Sequence, residues 1–199
     1  MTPAAAIAEQ RRLAQAVECR DRFGEIRSIA GVDVGFEAAG QITRAAVVVL
    51  AVPTLERVDA AIARRPTEFP YIPGLLSYRE LPAVLDALHA LQRRPDLLLV
   101  DGQGVAHPRR CGLASHLGLR VDLPSTGVAK SRLWGSHGPV PPDRGAWTPL
   151  LDRNEPIGAV LRTRVGVAPL YVSVGHRVSL DTAIAWVMAA VTRYRLPET

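Results

Sequence analysis

The run Leu97–Val100 is the feature that most limits the folds open to this chain. Four consecutive apolar residues follow Pro95 and Asp96 and end directly at Asp101-Gly102. A short, continuously apolar run is typical of a strand buried on both faces, which requires covering layers on each side. We therefore expect a sheet with this strand at its centre and helices packed against it.

The remaining hydrophobic pattern predicts the elements around this strand. Residues 26–36 alternate with a period of two, which indicates a strand with Asp33 on the face opposite Val32 and Val34. The predicted strands are 26–36, 43–52, 55–63, 97–100, 124–129, 157–163 and 169–174. The predicted helices are 5–19, 81–91, 109–117 and 180–191, and the predicted loops are 65–73 and 134–149. The order predicts an α/β fold with a mixed central β-sheet flanked by α-helices, in a single domain over residues 1–199.

Charge and cysteine content restrict the setting in which the chain works. A net charge of +5 and an isoelectric point near 9.9 suit a polyanionic partner, although arginine-rich codon usage explains them equally well. Two cysteines are too few for a disulfide framework, so we expect a cytoplasmic protein. The apolar runs are shorter than a membrane span, and no membrane partner is expected.

Three carboxylates stand where an apolar core is predicted. Asp33 lies within an apolar strand, Asp101 ends the central strand, and Glu80 stands at the start of the helix between them. Buried, unpaired carboxylates are costly, and a divalent cation such as Mg²⁺ would serve all three. Glu80 is alternatively the last residue of a capping box that begins at Ser77, but Pro82 argues against a helix that opens so early. Asp101 is alternatively a turn former before glycine.

The segment 101–116 adds polar groups directly after the central strand. Gly102 and Gly104 let the backbone approach a ligand closely, and His107 and His116 are able to donate to phosphate or to orient water. A zinc site of His107, Cys111 and His116 is an alternative, but it lacks standard ligand spacing and a fourth ligand. A thiol hydrolase built on Cys111 is a weaker alternative.

Five strings occur in an order and spacing that resemble the endonuclease V family. They are GVDV at 31–34, PYIPGLLSYRE at 70–80, DGQGVAHPR at 101–109, GLASHLG at 112–118 and GVAK at 127–130. Together these strings span most of the chain. The resemblance implies a ribonuclease-H-like fold, which agrees with the order of elements predicted above.

The resemblance also implies roles for individual residues of the reaction centre. Asp33, Glu80 and Asp101 match the metal-binding acids, and Lys130 matches a lysine near the scissile phosphate. His176 matches a histidine near the active site. Asp181 is a further candidate, whose alternative explanation is a favourable charge at a helix start.

A second group of residues matches the family's recognition elements. Tyr71, flanked by Pro70, Ile72 and Pro73, matches a wedge that fills the gap left by an extruded base. The expected pocket for that base includes Leu76, Gly102, Gly104 and Gly112, and nucleic-acid contacts are also expected from His107 and His116.

The function implied is hydrolysis of DNA beside a deaminated base. The expected enzyme is a monomer that recognises deoxyinosine and cuts the second phosphodiester bond on its 3′ side. Its activity is expected to depend on Mg²⁺ and to be supported by Mn²⁺ as well. One alternative is an endoribonuclease acting on inosine-containing RNA, which contacts to a 2′-hydroxyl would decide. The other is a non-catalytic binder of damaged nucleic acid, which would be expected to have lost a metal acid.

Overall fold

A computed structural model describes residues 1–198 of the chain. The helices are α1 (Pro3–Ala14), α2 (Leu76–His89), α3 (Leu113–Val121) and α4 (Leu180–Ala190), with a short 3-10 turn at Ala38–Gly40. The strands are β1 (Ser28–Glu37), β2 (Ile42–Ala51), β3 (Arg57–Pro66), β4 (Leu97–Val100), β5 (Ser125–Ala129), β6 (Trp147–Asp152), β7 (Glu155–Leu161) and β8 (Leu170–His176). No helix in this part of the chain is long and apolar enough to cross a membrane.

All eight strands form one mixed sheet in the order β3-β2-β1-β4-β5-β8-β7-β6. The strands β1, β4 and β5 are parallel to one another, whereas every other neighbouring pair is antiparallel. Val32 lies opposite Val100, and the amide of Asp101 donates to the carbonyl of Val32 at 2.9 Å. This register places the residues that follow Val32 and Val100 side by side at the carboxyl edge of the parallel strands.

Two apolar layers cover the sheet. One face packs against α2 and α3 through Val32, Val47, Leu98 and Val100. The other face packs against α4, with Leu97, Leu99 and Val128 among its buried residues. Leu97–Val100 is buried on both faces, as its continuous apolar run predicts.

The structure corrects three details of the predicted elements. Helix α2 begins at Leu76 rather than near Glu80, and it keeps Pro82 inside without the hydrogen bond that a proline cannot donate. No side chain caps its start, so the Ser77 capping box is wrong as well. The predicted loop 134–149 contains the beginning of β6, a strand hidden by its proline and by its position at the sheet edge.

Candidate active site

The reaction centre lies where the parallel strands end. Asp33, Asp101 and Lys130 lie on the sheet face that packs against α4. Asp33 and Asp101 directly follow Val32 and Val100, which are buried on the opposite face. Lys130 lies two residues after Val128, which is buried on the α4 face. Glu80 comes from the second turn of α2 and reaches the same cavity of about 430 Å³. The three carboxylates and the lysine predicted from the sequence therefore meet in one place.

Burial differs sharply among the three acids. Glu80 is only 7% exposed, and desolvation, followed by the charges of Asp101 and Asp33, raises its pKa to about 8. Desolvation also raises the pKa of Asp101, against the opposing effect of Lys130. Asp33 is exposed, so the argument that a buried acid needs a partner applies to Glu80 and not to Asp33.

Lys130 is the cation of this cluster. Its ammonium donates a hydrogen bond to the Asp101 carboxylate, and this bond raises the pKa of the lysine. The side-chain amide of Gln103 donates to the carbonyl of Ser131 at 3.0 Å, which ties the chain after Lys130 to the loop after β4. The lysine is thereby held beside the acids by its own ion pair with Asp101 and by the contact at Ser131.

The residues fit a divalent cation in charge and chemistry. Three carboxylates face a single ammonium, and hard oxygen ligands are what Mg²⁺ and Mn²⁺ prefer. Among residues 1–198, however, no three His, Cys, Asp or Glu side chains form a ready-made cluster for a metal ion. Asp101 pairs with Lys130 instead, so a bound cation would have to compete with this ion pair. The same observation removes the zinc alternative, and burial raises the pKa of Cys111 to about 12, which opposes a thiolate.

The rim of the cavity carries an exposed aromatic side chain. Tyr71 is 69% exposed and lines the cavity together with Ile72, Pro73 and Leu76. Pro70 lies outside the cavity and faces a neighbouring cleft. The predicted wedge segment therefore lies at the rim of the cavity that holds the carboxylates, with Tyr71 largely exposed.

The glycines of the predicted base pocket divide into two kinds. Gly102 and Gly112 line the cavity. Gly104 is buried behind it, where a Cβ atom would lie 1.9 Å from the carbonyl oxygen of Val174. A glycine is needed at position 104 for close packing of the loop on β8, and its expected contact with the base stays a prediction.

The two histidines of segment 101–116 lie in different surroundings. His107 lines the cavity, where its Nδ1 accepts from the amide of Arg109 and its Nε2 donates to the carbonyl of Gly74. His116 is buried outside the cavity, with Nδ1 at 3.2 Å from the Ser77 hydroxyl and its ring edge against Tyr78. In this structure His116 is therefore packed against α2, and its expected contact with nucleic acid stays a prediction.

His176 does not lie near the carboxylates. It ends β8, which runs antiparallel to β5, and it lies opposite Ser125 at the start of β5. Ser125 pairs with Leu98, three residues before Asp101, so His176 is displaced by roughly 10 Å along the strands. Its Nδ1 accepts from the amide of Glu18 at 3.3 Å. His176 and the exposed Asp181 at the start of α4 are both absent from the cavity lining, and their roles in the reaction stay predictions.

Several lining residues were missed by sequence reasoning. Gln10 comes from α1, and Gln103 and the segment 131–133 complete the wall beside Lys130. Gln103 stands inside one of the quoted strings and was open to prediction. Gln10 carried no signal, because a glutamine in a charged helix is normally exposed.

Comparison with known proteins decides which family has this site. A model of the family described as Endonuclease V matches residues 11–199. The chain belongs to the endonuclease V family. Endonuclease V of Roseiflexus castenholzii is 62% identical over 195 residues, covering 98% of this chain and 86% of the relative. The family resemblance inferred from the five strings is thereby confirmed, and the chain is a nuclease.

Solved endonuclease V structures share the fold. The crystal structure from Streptomyces avermitilis has a TM-score of 0.94 and 45% identity, covering 100% of this chain and 88% of that one. A Ciona intestinalis endonuclease V, bound to a 23mer DNA containing an inosine followed by a ribo-adenosine, has a TM-score of 0.84 and 25% identity. The match covers 100% of this chain and 93% of the Ciona chain. The expected ribonuclease-H-like fold is confirmed.

Proposed function

We propose that this endonuclease V hydrolyses DNA at the second phosphodiester bond 3′ to a deoxyinosine, using Mg²⁺ or Mn²⁺. The observation that carries the proposal is the shared cavity, with Asp33, Glu80 and Asp101 inside it and Tyr71 at its rim. Chemistry and base recognition are thus joined in one space. The complex of the Ciona relative with inosine-containing DNA supports the choice of lesion.

The acids would hold the cation, with Asp33 and Asp101 supplying ligands from adjacent strands and Glu80 from above. When bound, a divalent cation polarises the phosphoryl oxygen and acidifies a water molecule. Lys130 would balance the charge that develops on the scissile phosphate, because its ammonium is exposed on one side and held by Asp101 on the other. No step of this mechanism is assigned to His176, because it pairs with Ser125 at the opposite end of the parallel strands.

Tyr71 would fill the space left by the extruded base. An exposed aromatic ring between two prolines stacks on a neighbouring base at small entropic cost, since the backbone beside it is already stiff. The base itself would enter the cavity between Leu76 and the Gly102 and Gly112 backbone. Backbone donors and acceptors at that depth distinguish hypoxanthine from adenine by the edge of the base.

Cleavage of an end-labelled duplex with one deoxyinosine tests the proposal directly. The wild type should nick only the lesion strand, and only when Mg²⁺ is present. Asp33→Asn should abolish the nick because it removes a proposed metal ligand, and it should leave the fold intact because Asp33 is exposed. Asp143→Asn is a matched control, because this exposed aspartate lies in a loop outside the cavity. Equal cleavage activity of Asp33→Asn and wild type would contradict the proposal that these acids bind the metal ion.

A ribonucleotide substrate is the second candidate. The DNA bound to the D234N variant of the Ciona relative carries a ribo-adenosine directly after the inosine, so that protein binds a strand with a 2′-hydroxyl at this position. We infer the same tolerance here, and substrates with deoxyadenosine or riboadenosine after the inosine measure it. A higher kcat/KM on the ribonucleotide substrate would favour inosine-containing RNA as the natural target.

A further inference from the structure

The carbonyl of Gly74 receives an unusual number of hydrogen bonds. Gln10 Nε2 donates to it at 3.2 Å, His107 Nε2 at 3.0 Å and Arg109 Nη2 at 2.6 Å. These donors come from α1 and from the loop after β4, two segments far apart in sequence. A carbonyl oxygen has two lone pairs, so three side-chain donors amount to a dedicated anchoring point.

Gln10 connects all parts of this anchor. Its Oε1 accepts from Arg109 Nε at 2.5 Å, and its Nε2 also donates to the carbonyl of Cys111 at 2.5 Å. Gln10 is only 1% exposed, and its amide is fully satisfied by these contacts. Removal of this side chain would take away the partner of the Cys111 carbonyl and of Arg109 Nε, and would leave the Gly74 carbonyl with two donors instead of three.

Apolar contacts bring α1 to the same place. Ala6 packs with Phe69 and Leu75, one on each side of the segment that carries Tyr71. The Tyr78 hydroxyl donates to the carbonyl of Ala6 at 2.9 Å. Helix α1 therefore holds both ends of the wedge segment, and Gln10 supplies the polar contact at its C-terminal end.

The wedge segment depends on this external support. Pro70 and Pro73 have no N–H to donate, and Tyr71 points its side chain into solvent. Gly74 has φ +79°, a conformation in which a Cβ would lie 2.8 Å from Arg109 Nη2. The direction in which the chain leaves the wedge segment is therefore set by the Gly74 peptide and by the side chains that hold its carbonyl.

We propose that Gln10 is a positioning residue for lesion recognition, which fixes the Gly74 carbonyl and thereby the placement of Tyr71 over the cavity. The predicted effect on cleavage kinetics rests on the proposed function, whereas the predicted effect on the conformation of the wedge segment does not. The variant Gln10→Leu keeps most of the volume and removes every polar contact. Gln15→Leu, at an exposed position just after α1, is the matched control.

Hydrogen–deuterium exchange tests the structural part without any substrate. In Gln10→Leu, amides of residues 69–78 should exchange at least tenfold faster than in wild type, while those of β4 and β5 should not change. Gln15→Leu should match the wild type throughout. Unchanged exchange over 69–78 in Gln10→Leu would overturn the proposal, whether or not the protein cleaves inosine-containing DNA.

Kinetics test the functional part. On a deoxyinosine duplex, Gln10→Leu should raise KM roughly tenfold and leave kcat within about twofold, because the acids and Lys130 are untouched. In a Tyr71→Ala background the same change should have no further effect on KM, since both act through one contact. Additive losses, or an equal loss of kcat, would show that Gln10 serves only general folding. A wild type inactive on this duplex would refute the proposed function and leave the exchange result to decide the role of Gln10.

Discussion

Buried His116 should make folding stability depend on pH. The ring is held between Ser77 and Tyr78, and desolvation, assisted by the charge of Arg120, lowers its pKa from 6.5 to about 4. The folded state therefore keeps the ring neutral where the unfolded chain binds a proton. The resulting stability is complete above pH 6.5 and is lost as the pH falls toward 4.

The expected size of the effect follows from these two pKa values. Between pH 7.5 and 5.0, the linkage relation gives a loss of about 2 kcal/mol in unfolding free energy for one such histidine. His107 has a pKa lowered to about 4 as well, chiefly by desolvation and then by Arg109, and it contributes a similar loss. The two histidines together should lower the unfolding free energy by about 4 kcal/mol over this range.

Urea unfolding followed by tryptophan fluorescence at both pH values measures this directly. The variant His116→Gln keeps a hydrogen-bonding group near Ser77 but cannot titrate, so its loss between pH 7.5 and 5.0 should be about 2 kcal/mol smaller than that of the wild type. His89→Gln changes an exposed histidine at the end of α2 and should lose as much as the wild type. An equal loss in His116→Gln and wild type would refute the claim that the fold keeps this ring neutral.

Three further outcomes are expected. Lys130→Ala should lower kcat roughly a hundredfold with little change in KM in single-turnover cleavage, since it removes the cation beside the phosphate. Chelation by EDTA should stop cleavage. In the same urea assay, Mg²⁺ at ten times its Kd should raise the unfolding free energy of the wild type by about 1.4 kcal/mol, and that of Glu80→Gln much less. Gly104→Ala should destabilise the fold by about 2 kcal/mol or more, because its Cβ meets the backbone of Val174, while Gly138→Ala, with no heavy atom closer than 4.0 Å, should be neutral.

The reaction centre was predictable because its residues lie on strongly patterned strands. Since β1 and β4 are parallel, with Val32 beside Val100, Asp33 within β1 and Asp101 directly after β4 had to become neighbours once both strands were placed. Pattern reasoning was less successful for α2. The packing of Leu81 and Val84 on the sheet outweighs the hydrogen bond lost at Pro82, and no local signal reports that balance.

His176 shows where local pattern stops being informative. Residues 173–179 lead into the start of α4 and carry polar side chains suited to a site. The direction of β8 nevertheless decides at which end of the parallel strands His176 arrives. Because β8 is antiparallel to β5, its carboxyl end meets the amino end of the parallel strands, opposite Asp101. Gln10 is the converse case, a polar residue in a charged helix that tertiary packing buries beneath the Tyr71 segment. Strand direction and helix docking are properties of the whole sheet, so residues that depend on them can be assigned only once the sheet is assembled.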